Sequence, residues 1–377
     1  MPDRTTWLIN GKLVTPRGVV PGAVGIRDGR IVAIRRAPTP GGEHLNVRGR
    51  YVSPGFMDLH IWGDPRRVAG REIRSGTTSF LTAIGPEPPE LLVNRLVQLD
   101  LSPDERGARC LGVHLEGPFL NPLRAGALAS RWLRPPTSRE LRQLVRYASG
   151  RLKLMTIAPE LPRGIEAIRW CARHGIMVSL GHSDASDDVT QRAISAGATT
   201  VTHVFNGMRP LHHRDPGLLG EVLTDDRLVA MVILDGAHVD STAFQLLVRC
   251  KGPNGVALVT DSVRHQRHPK AARARGAYYL PAPRQRSLAG QAGLKRGILA
   301  GSALTMIEAV RNATVFGKIP LPDAVRMASL NPARVIHEAH RLGSLEVGKR
   351  ADLVVFDARF RVSMTLVGGT IVYQRKK

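Results

Sequence analysis

The sequence predicts an α/β protein, a (β/α)8 TIM-type barrel with a small β-sandwich domain formed by both chain termini. Three observations predict it. Eight short apolar runs recur between residues 56 and 262, each suited to a parallel strand covered on its faces. Segments with the apolar spacing of helices separate most of these runs. The two ends, residues 1–53 and 343–377, instead share a texture of short β-rich runs and turns.

In residues 1–53 the runs WLINGKLVTP, GAVGIRDGRIVAIRR and HLNVRGRYVSPG alternate with turns. Asn10-Gly11 and Asp28-Gly29 carry hairpin signals there. The barrel is expected over 54–342. Its strands are read in FMDLHIWG, TTSFLTAIG, RCLGVHLEG, KLMTIAPE, IMVSLGHSD, TTVTHVFN, VAMVILDGAH and VALVTDS. Helical periodicity marks PELLVNRLVQLD, SRELRQLVRYAS, GIEAIRWCARHG, DVTQRAISAGA and STAFQLLVRCKG. LAGSALTMIEAVRNAT and LPDAVRMASLNPARVIH then close the barrel. Eight strand-then-helix units are the count for this fold. The run GSLEVGKRADLVVFDARFRVSMTLVGGTIVY, in 343–377, returns to β texture.

A length of 377 residues suits one barrel with an appended module. No apolar run approaches the roughly 20 residues that span a bilayer, and MPDRTTWLINGKLV does not read as a secretory leader. A cytoplasmic protein with no membrane partner is therefore expected. Cys110, Cys171 and Cys250 are scattered, which reads as reduced, buried thiols. The net charge of +23 favours anionic ligands. Its arginines are spread along the chain rather than clustered with aromatics, so a solvated basic surface is expected and nucleic acid is not the expected partner.

In such a barrel chemistry sits at the C-terminal ends of the strands. Those ends carry His60, Glu116, Glu160, His182, Asp184, His203, Asn206, Asp235, His238 and Asp261. Taken singly, a histidine there is an ordinary loop hydrogen-bonder and a carboxylate an ordinary helix cap. The joint pattern is more pointed. Glu116, His182 and His203 make a two-imidazole, one-carboxylate set suited to a divalent metal with an open position. Asp261, on the last strand, faces them as a candidate acid/base.

The segments LGVHLEGPFLNPLRAGA, SLGHSDAS, TVTHVFNGMRPLHHRDPGLLGEVL, VILDGAHV, VALVTDS, ILAGSALTMIEAVRN and ASLNPARVI with GSLEVGKRADLVVFDA resemble the N-acetylglucosamine-6-phosphate deacetylase family of the amidohydrolase superfamily. The resemblance runs from about residue 5 to residue 373. It implies hydrolytic deacetylation of N-acetylglucosamine 6-phosphate, with one divalent metal per chain, zinc or iron, and a homodimer. It places the metal ligands at Glu116, His182 and His203 and the acid/base at Asp261. Substrate contacts fall on Asn206, Gly207, Arg214, His238, Ala127, Ala300 and Gly301, with His212 and His213 as a shell around Arg214. Arg214 offers paired planar donors to a phosphate. Alternatives are another N-acylated substrate, such as N-acetylgalactosamine 6-phosphate, or a non-catalytic anion-binding paralogue.

Four features depart from the family pattern. Trp62 stands where the second histidine of a His-x-His pair would be, and an indole offers only an N–H. His60 is then a remnant of a second metal position or an inner-wall hydrogen-bonder. The 63–76 connection is short, with room for a couple of helical turns. Residues 262–307 hold no acidic residue, which reads as a basic hairpin or as a lid for an anionic substrate. Leu128 takes a place where relatives put a polar group.

Overall fold

In the computed structural model, residues 5–36, 41–102, 106–265, 272–274, 277–280 and 298–376 are described. Eight strands stand in sequential order in one sheet: β1 (Phe56–Trp62), β2 (Thr77–Ile84), β3 (Arg109–Glu116), β4 (Leu152–Ile157), β5 (Met177–Leu180), β6 (Ala198–Val201), β7 (Val229–Ile233) and β8 (Val256–Val259). Every neighbouring pair is parallel. The ring closes between β1 and the end of β8, where Trp62 N donates to Ser262 O at 3.0 Å and Asp261 N to His60 O at 2.9 Å. All eight runs read from the sequence are these strands. Their apolar continuity has a cause visible in β2, buried at every position, because helices cover a parallel sheet from outside.

Each strand leads to a helix, from Pro65–Glu72 after β1 to Met306–Val315 after β8. Local signals set their starts. Ser186 accepts from Val189 N to cap Asp187–Ala196, and Thr305 with Glu308 forms a capping box on Met306–Val315. The short 63–76 connection holds Pro65–Glu72 and a single 3-10 turn, Ile73–Ser75. Glu72 is buried at its end and pairs with Arg264 and His265 beyond β8.

The two termini meet in one mixed sheet. Tyr51–Pro54 pairs antiparallel with Leu353–Phe356, joining five strands from the start of the chain to three from its end. Its apolar side gathers Leu8, Leu13, Val24, Val52, Leu353 and Val355. Asp28-Gly29 makes the expected hairpin turn, with φ of 50° and 73°. Asn10-Gly11 does not. The strand Thr6–Thr15 runs through it, and the register slips between Leu8 and Gly11 as a bulge. Gly11 is needed there because a Cβ would come within 2.8 Å of the Val52 side chain.

Of the acid-free stretch 262–307, Ala272–Ala274 and Ala277–Leu280 form antiparallel strands leading to Ile298–Ser302. Residues 266–271, 275–276 and 281–297 lie outside the described residues, and the reading of a lid falls on them. The three cysteines are free, but Cys250 is exposed and Cys110 half-buried, so only Cys171 is the buried thiol expected of all three. Among the described residues no helix is long and apolar enough to cross a membrane.

Candidate active site

Glu116 is the last residue of β3. His182, His203 and Asp261 each stand two residues beyond the end of their strand, after Leu180, Val201 and Val259. All three adopt positive φ, 49°, 30° and 49°. Non-glycine residues pay for that conformation, and it persists where neighbours over-determine it. Those neighbours are visible. Asn121 N donates to His182 O at 2.9 Å, and Ser302 N to Asp261 O at 2.8 Å.

The polar atoms converge. Glu116 Oε1 lies 3.0 Å from His182 Nε2 and 2.8 Å from His203 Nε2, and the two Nε2 atoms are 3.2 Å apart. His60 Nε2 reaches 3.5 Å from Glu116 Oε2 and 3.2 Å from Asp261 Oδ1, so it spans the expected ligand set and the expected acid/base. Two overlapping groups share Glu116 and His203, one completed by His182 and one by His60.

The donor chemistry fits a divalent cation. His182 Nδ1 lies 2.7 Å from the carbonyl oxygen of Arg124, which only accepts, so Nδ1 carries the hydrogen. Nε2 is then the ring atom turned to Glu116 Oε1 and His203 Nε2. Electron-rich atoms at such separations repel unless a positive charge lies among them. Burial opposes charge on Glu116, yet His60, His182 and His203 hold its carboxyl well below the usual carboxylate range. Burial also works against charge on His182, and Glu116 outweighs it to raise the ring. His60 Nε2 and His203 Nδ1 are buried with no hydrogen-bond partner among the described residues.

Behind β1 lies an interior layer that sequence reasoning missed. His114 Nδ1 lies 2.8 Å from His60 Nδ1 and 3.0 Å from Leu59 O, while its Nε2 meets Thr156 Oγ1 at 2.8 Å. Burial and the neighbouring His60 push His114 well below its ordinary value, so it is neutral. Burial resists charge on His60 too, but Glu116 and Asp261 prevail and bring it up to about 10. Asp58 stitches β1 to β8 by accepting from Thr260 Oγ1 at 2.5 Å. Burial lifts its carboxyl to about 7 against the pull of the Thr260 and His60 donors. The only signal for these residues was their place inside FMDLHIWG and RCLGVHLEG.

The expected substrate residues are placed unevenly. Gly207, φ 64°, packs on His182, where a Cβ would sit 2.9 Å from Nδ1. Asn206 stays near the ring through its backbone N–H, which donates to His203 O at 2.9 Å. Gly301 lies against Asp261, since its Cβ would be 2.8 Å from Asp261 O, and Ala300 precedes it. Ala127 stands on the 121–130 loop, whose Gly126 faces His182 Cε1. Asp235 orients His238 through Nδ1 at 2.8 Å. His238 Nε2 has no partner among the described residues. Arg214 is the exception, exposed beside His212 and His213 on the loop after β6. Glu160 is structural, accepting from Asn121, Ser183 and Asp184 and so tying three loops together.

Trp62 closes the wall beside Asp261. Its Nε1 donates to Asp261 Oδ1 at 2.7 Å. Its ring edge leaves no room at Gly85, where a Cβ would meet Cη2 at 2.8 Å and Leu128 Cδ2 at 3.7 Å. Leu128 joins Leu120, Ala125 and Leu133 in a small apolar cluster. The two departures from the family pattern therefore border one surface.

The amidohydrolase family profile matches residues 51–372. An N-acetylglucosamine-6-phosphate deacetylase of Lysinibacillus sphaericus is 34% identical over 93% of this chain and 93% of its own. The structure of an N-acetylglucosamine-6-phosphate deacetylase from Pasteurella multocida superposes with a TM-score of 0.86 at 28% identity, over 98% of this chain and 100% of that one. A mutant of the Mycobacterium smegmatis enzyme, in complex with N-acetyl-D-glucosamine-6-phosphate, superposes with a TM-score of 0.83 at 27% identity, over 98% and 100%.

Proposed function

We propose, from the premise that this chain belongs to the amidohydrolase family and within it to the N-acetylglucosamine-6-phosphate deacetylases, that it hydrolyses N-acetylglucosamine 6-phosphate to glucosamine 6-phosphate and acetate. One observation carries the reading. The ligand set of Glu116, His182 and His203 and the carboxylate of Asp261 face each other across His60 Nε2, within 3.5 Å on one side and 3.2 Å on the other.

Glu116, His182 and His203 would hold one divalent cation, zinc or iron, since nitrogen and oxygen donors suit both. Such a cation, when bound, supplies Lewis acidity that makes water acidic near neutral pH and polarises a carbonyl. The remaining work falls to side chains. Asp261 Oδ2, which has no hydrogen-bond partner among the described residues, takes a proton from the attacking water. The water oxygen bonds to the acetyl carbon, and the C–N bond breaks as Asp261 returns that proton to the departing amine. His238, oriented by Asp235, offers Nε2 to the sugar. The Asn206-Gly207 turn offers backbone N–H groups to the phosphate, Ala127 adds a substrate contact, and Ala300-Gly301 lines the sugar pocket beside Asp261.

The phosphate is assigned to Arg214. Its exposure suits a homodimer in which a second copy completes the phosphate end. A charged sugar phosphate and three free cysteines fit a reducing, cytoplasmic setting.

The test is acetate release by zinc-loaded protein from N-acetylglucosamine 6-phosphate, its galactosamine epimer and the two unphosphorylated sugars. The glucosamine phosphate is expected to show the highest kcat/KM. A higher value for the epimer would reassign the substrate, and no release from any of the four would remove the reaction.

A further inference from the structure

We infer that Trp62 is a positioning residue for the deacetylation: its indole N–H fixes one oxygen of Asp261 so that the other is presented to the reacting centre. The inference rests on the deacetylase reading and deepens it. In that reading Asp261 must accept and deliver a proton from a defined direction, and a carboxylate free to rotate about its last bond would present either oxygen at any angle.

The geometry points to Trp62 as the restraint. His60 and Trp62 stand two apart on β1, so their side chains leave the same face. Their rings meet edge to face, centroids 5.8 Å apart and 77° between planes. The indole has one polar hydrogen and no acceptor, so the 2.7 Å contact with Asp261 Oδ1 has a single sense, donation to the carboxylate. Donation to a charged acceptor is among the stronger hydrogen bonds. His60 Nε2 approaches the same oxygen at 3.2 Å. Oδ1 is thus surrounded while Oδ2 has no hydrogen-bond partner among the described residues.

Both ends of this contact are held. The backbone ladder at the closure of the barrel joins Trp62 N to Ser262 O at 3.0 Å and Asp261 N to His60 O at 2.9 Å, so donor and acceptor lie on directly paired segments. The far edge of the indole is wedged against Gly85, where a Cβ would come within 2.8 Å. Only a glycine at residue 85 leaves room for the ring in this orientation. A second histidine at residue 62 would offer a lone pair to a cation. Trp62 instead makes the position a donor aimed at the acid/base.

A competing role is space filling alone, and phenylalanine separates the two because it retains most of the aromatic bulk and loses the N–H. On full-length, zinc-loaded protein, Trp62→Phe is expected to lower kcat about 10- to 100-fold, the scale of losing a hydrogen bond to a charged group. KM and the metal content are expected to remain those of the parent. Unchanged kcat in a folded, metal-loaded Trp62→Phe protein would overturn the inference.

A second measurement needs no substrate and no change at residue 62. The chain has 4 tryptophans, so protein labelled with 15N at the indole nitrogens is expected to give four N–H signals. One is expected far downfield and to move upfield in Asp261→Ala. Four signals unmoved by that change would overturn the inference even if the enzyme deacetylates its substrate. A moved signal with no turnover of any N-acetylhexosamine phosphate would locate the failure in the assigned reaction instead.

Discussion

Two sides of the barrel mouth are built on opposite principles. On the side of β3, β5 and β6, Glu116, His182 and His203 bring nitrogen and oxygen donors suited to a cation within 3.2 Å of one another. At the seam between β1 and β8 each acceptor already has donors: Asp261 has Trp62, Asp58 has Thr260, and Glu72 has Arg264, His265 and Ser75. The first arrangement converges its atoms on a place for a cation, and the second pairs its carboxylates with the chain's own donors. A site that must hold a cation and also aim a proton acceptor uses both, since looseness helps the first role and harms the second.

The comparison breaks most severely at Glu116. Glu116→Gln keeps the shape but removes the anion that both imidazoles face. Metal content measured by atomic emission is expected to fall from about one per chain to near none, with acetate release down on the order of 10^3-fold. Full metal occupancy in that variant would show that the two sides are not divided as described. Asp261→Asn tests the opposite side. It retains an oxygen for Trp62 yet cannot take a proton, so kcat is expected to fall about 10^2- to 10^4-fold with the metal retained. A variant that kept its turnover would return the acid/base role to another group, with His60 next in line.

How much of this was legible in the chain follows the range of the interactions. The eight strands were readable because burial on both faces writes itself into consecutive apolar residues. Glu116, His182, His203 and Asp261 were readable because a barrel turns strand ends into neighbours. The positive φ shared by the last three was not, since nothing local in GHS, THV or TDS demands it. Contacts made across the barrel closure were equally hidden. Trp62 and Asp261 are 199 residues apart, and Asp58 and Thr260 are 202. That Trp62 offers an N–H and no lone pair was readable from residue type, but the direction of that N–H needed the fold. Asn10-Gly11 misled for a related reason, because Val52 from another strand decides that the glycine is a bulge.

The gentlest way to sharpen the comparison is to loosen the seam from behind, at Glu72. This carboxylate is buried, and burial alone would raise it; its bond to His265 and the charge of Arg264 prevail, and the net direction is downward. A carboxyl depressed in the folded state contributes stability above its unfolded value of 4.5, and that contribution is lost as pH falls through the folded value. Glu72→Gln leaves Arg264 and His265 facing a neutral amide, at a cost of about 3 kcal/mol near pH 7. The stability gap between parent and variant, read by urea denaturation, is expected to be full near neutrality and to shrink as pH falls below 4.5. Turnover is expected to drop only a few-fold, because Arg264 lies three residues past Asp261 and Trp62 still grips the carboxylate. A gap that stayed constant to low pH would mean that Glu72 acts by packing and not by charge. A loss of turnover as large as that of Asp261→Asn would mean that the aim of Asp261 depends on this buried pair more than on the indole.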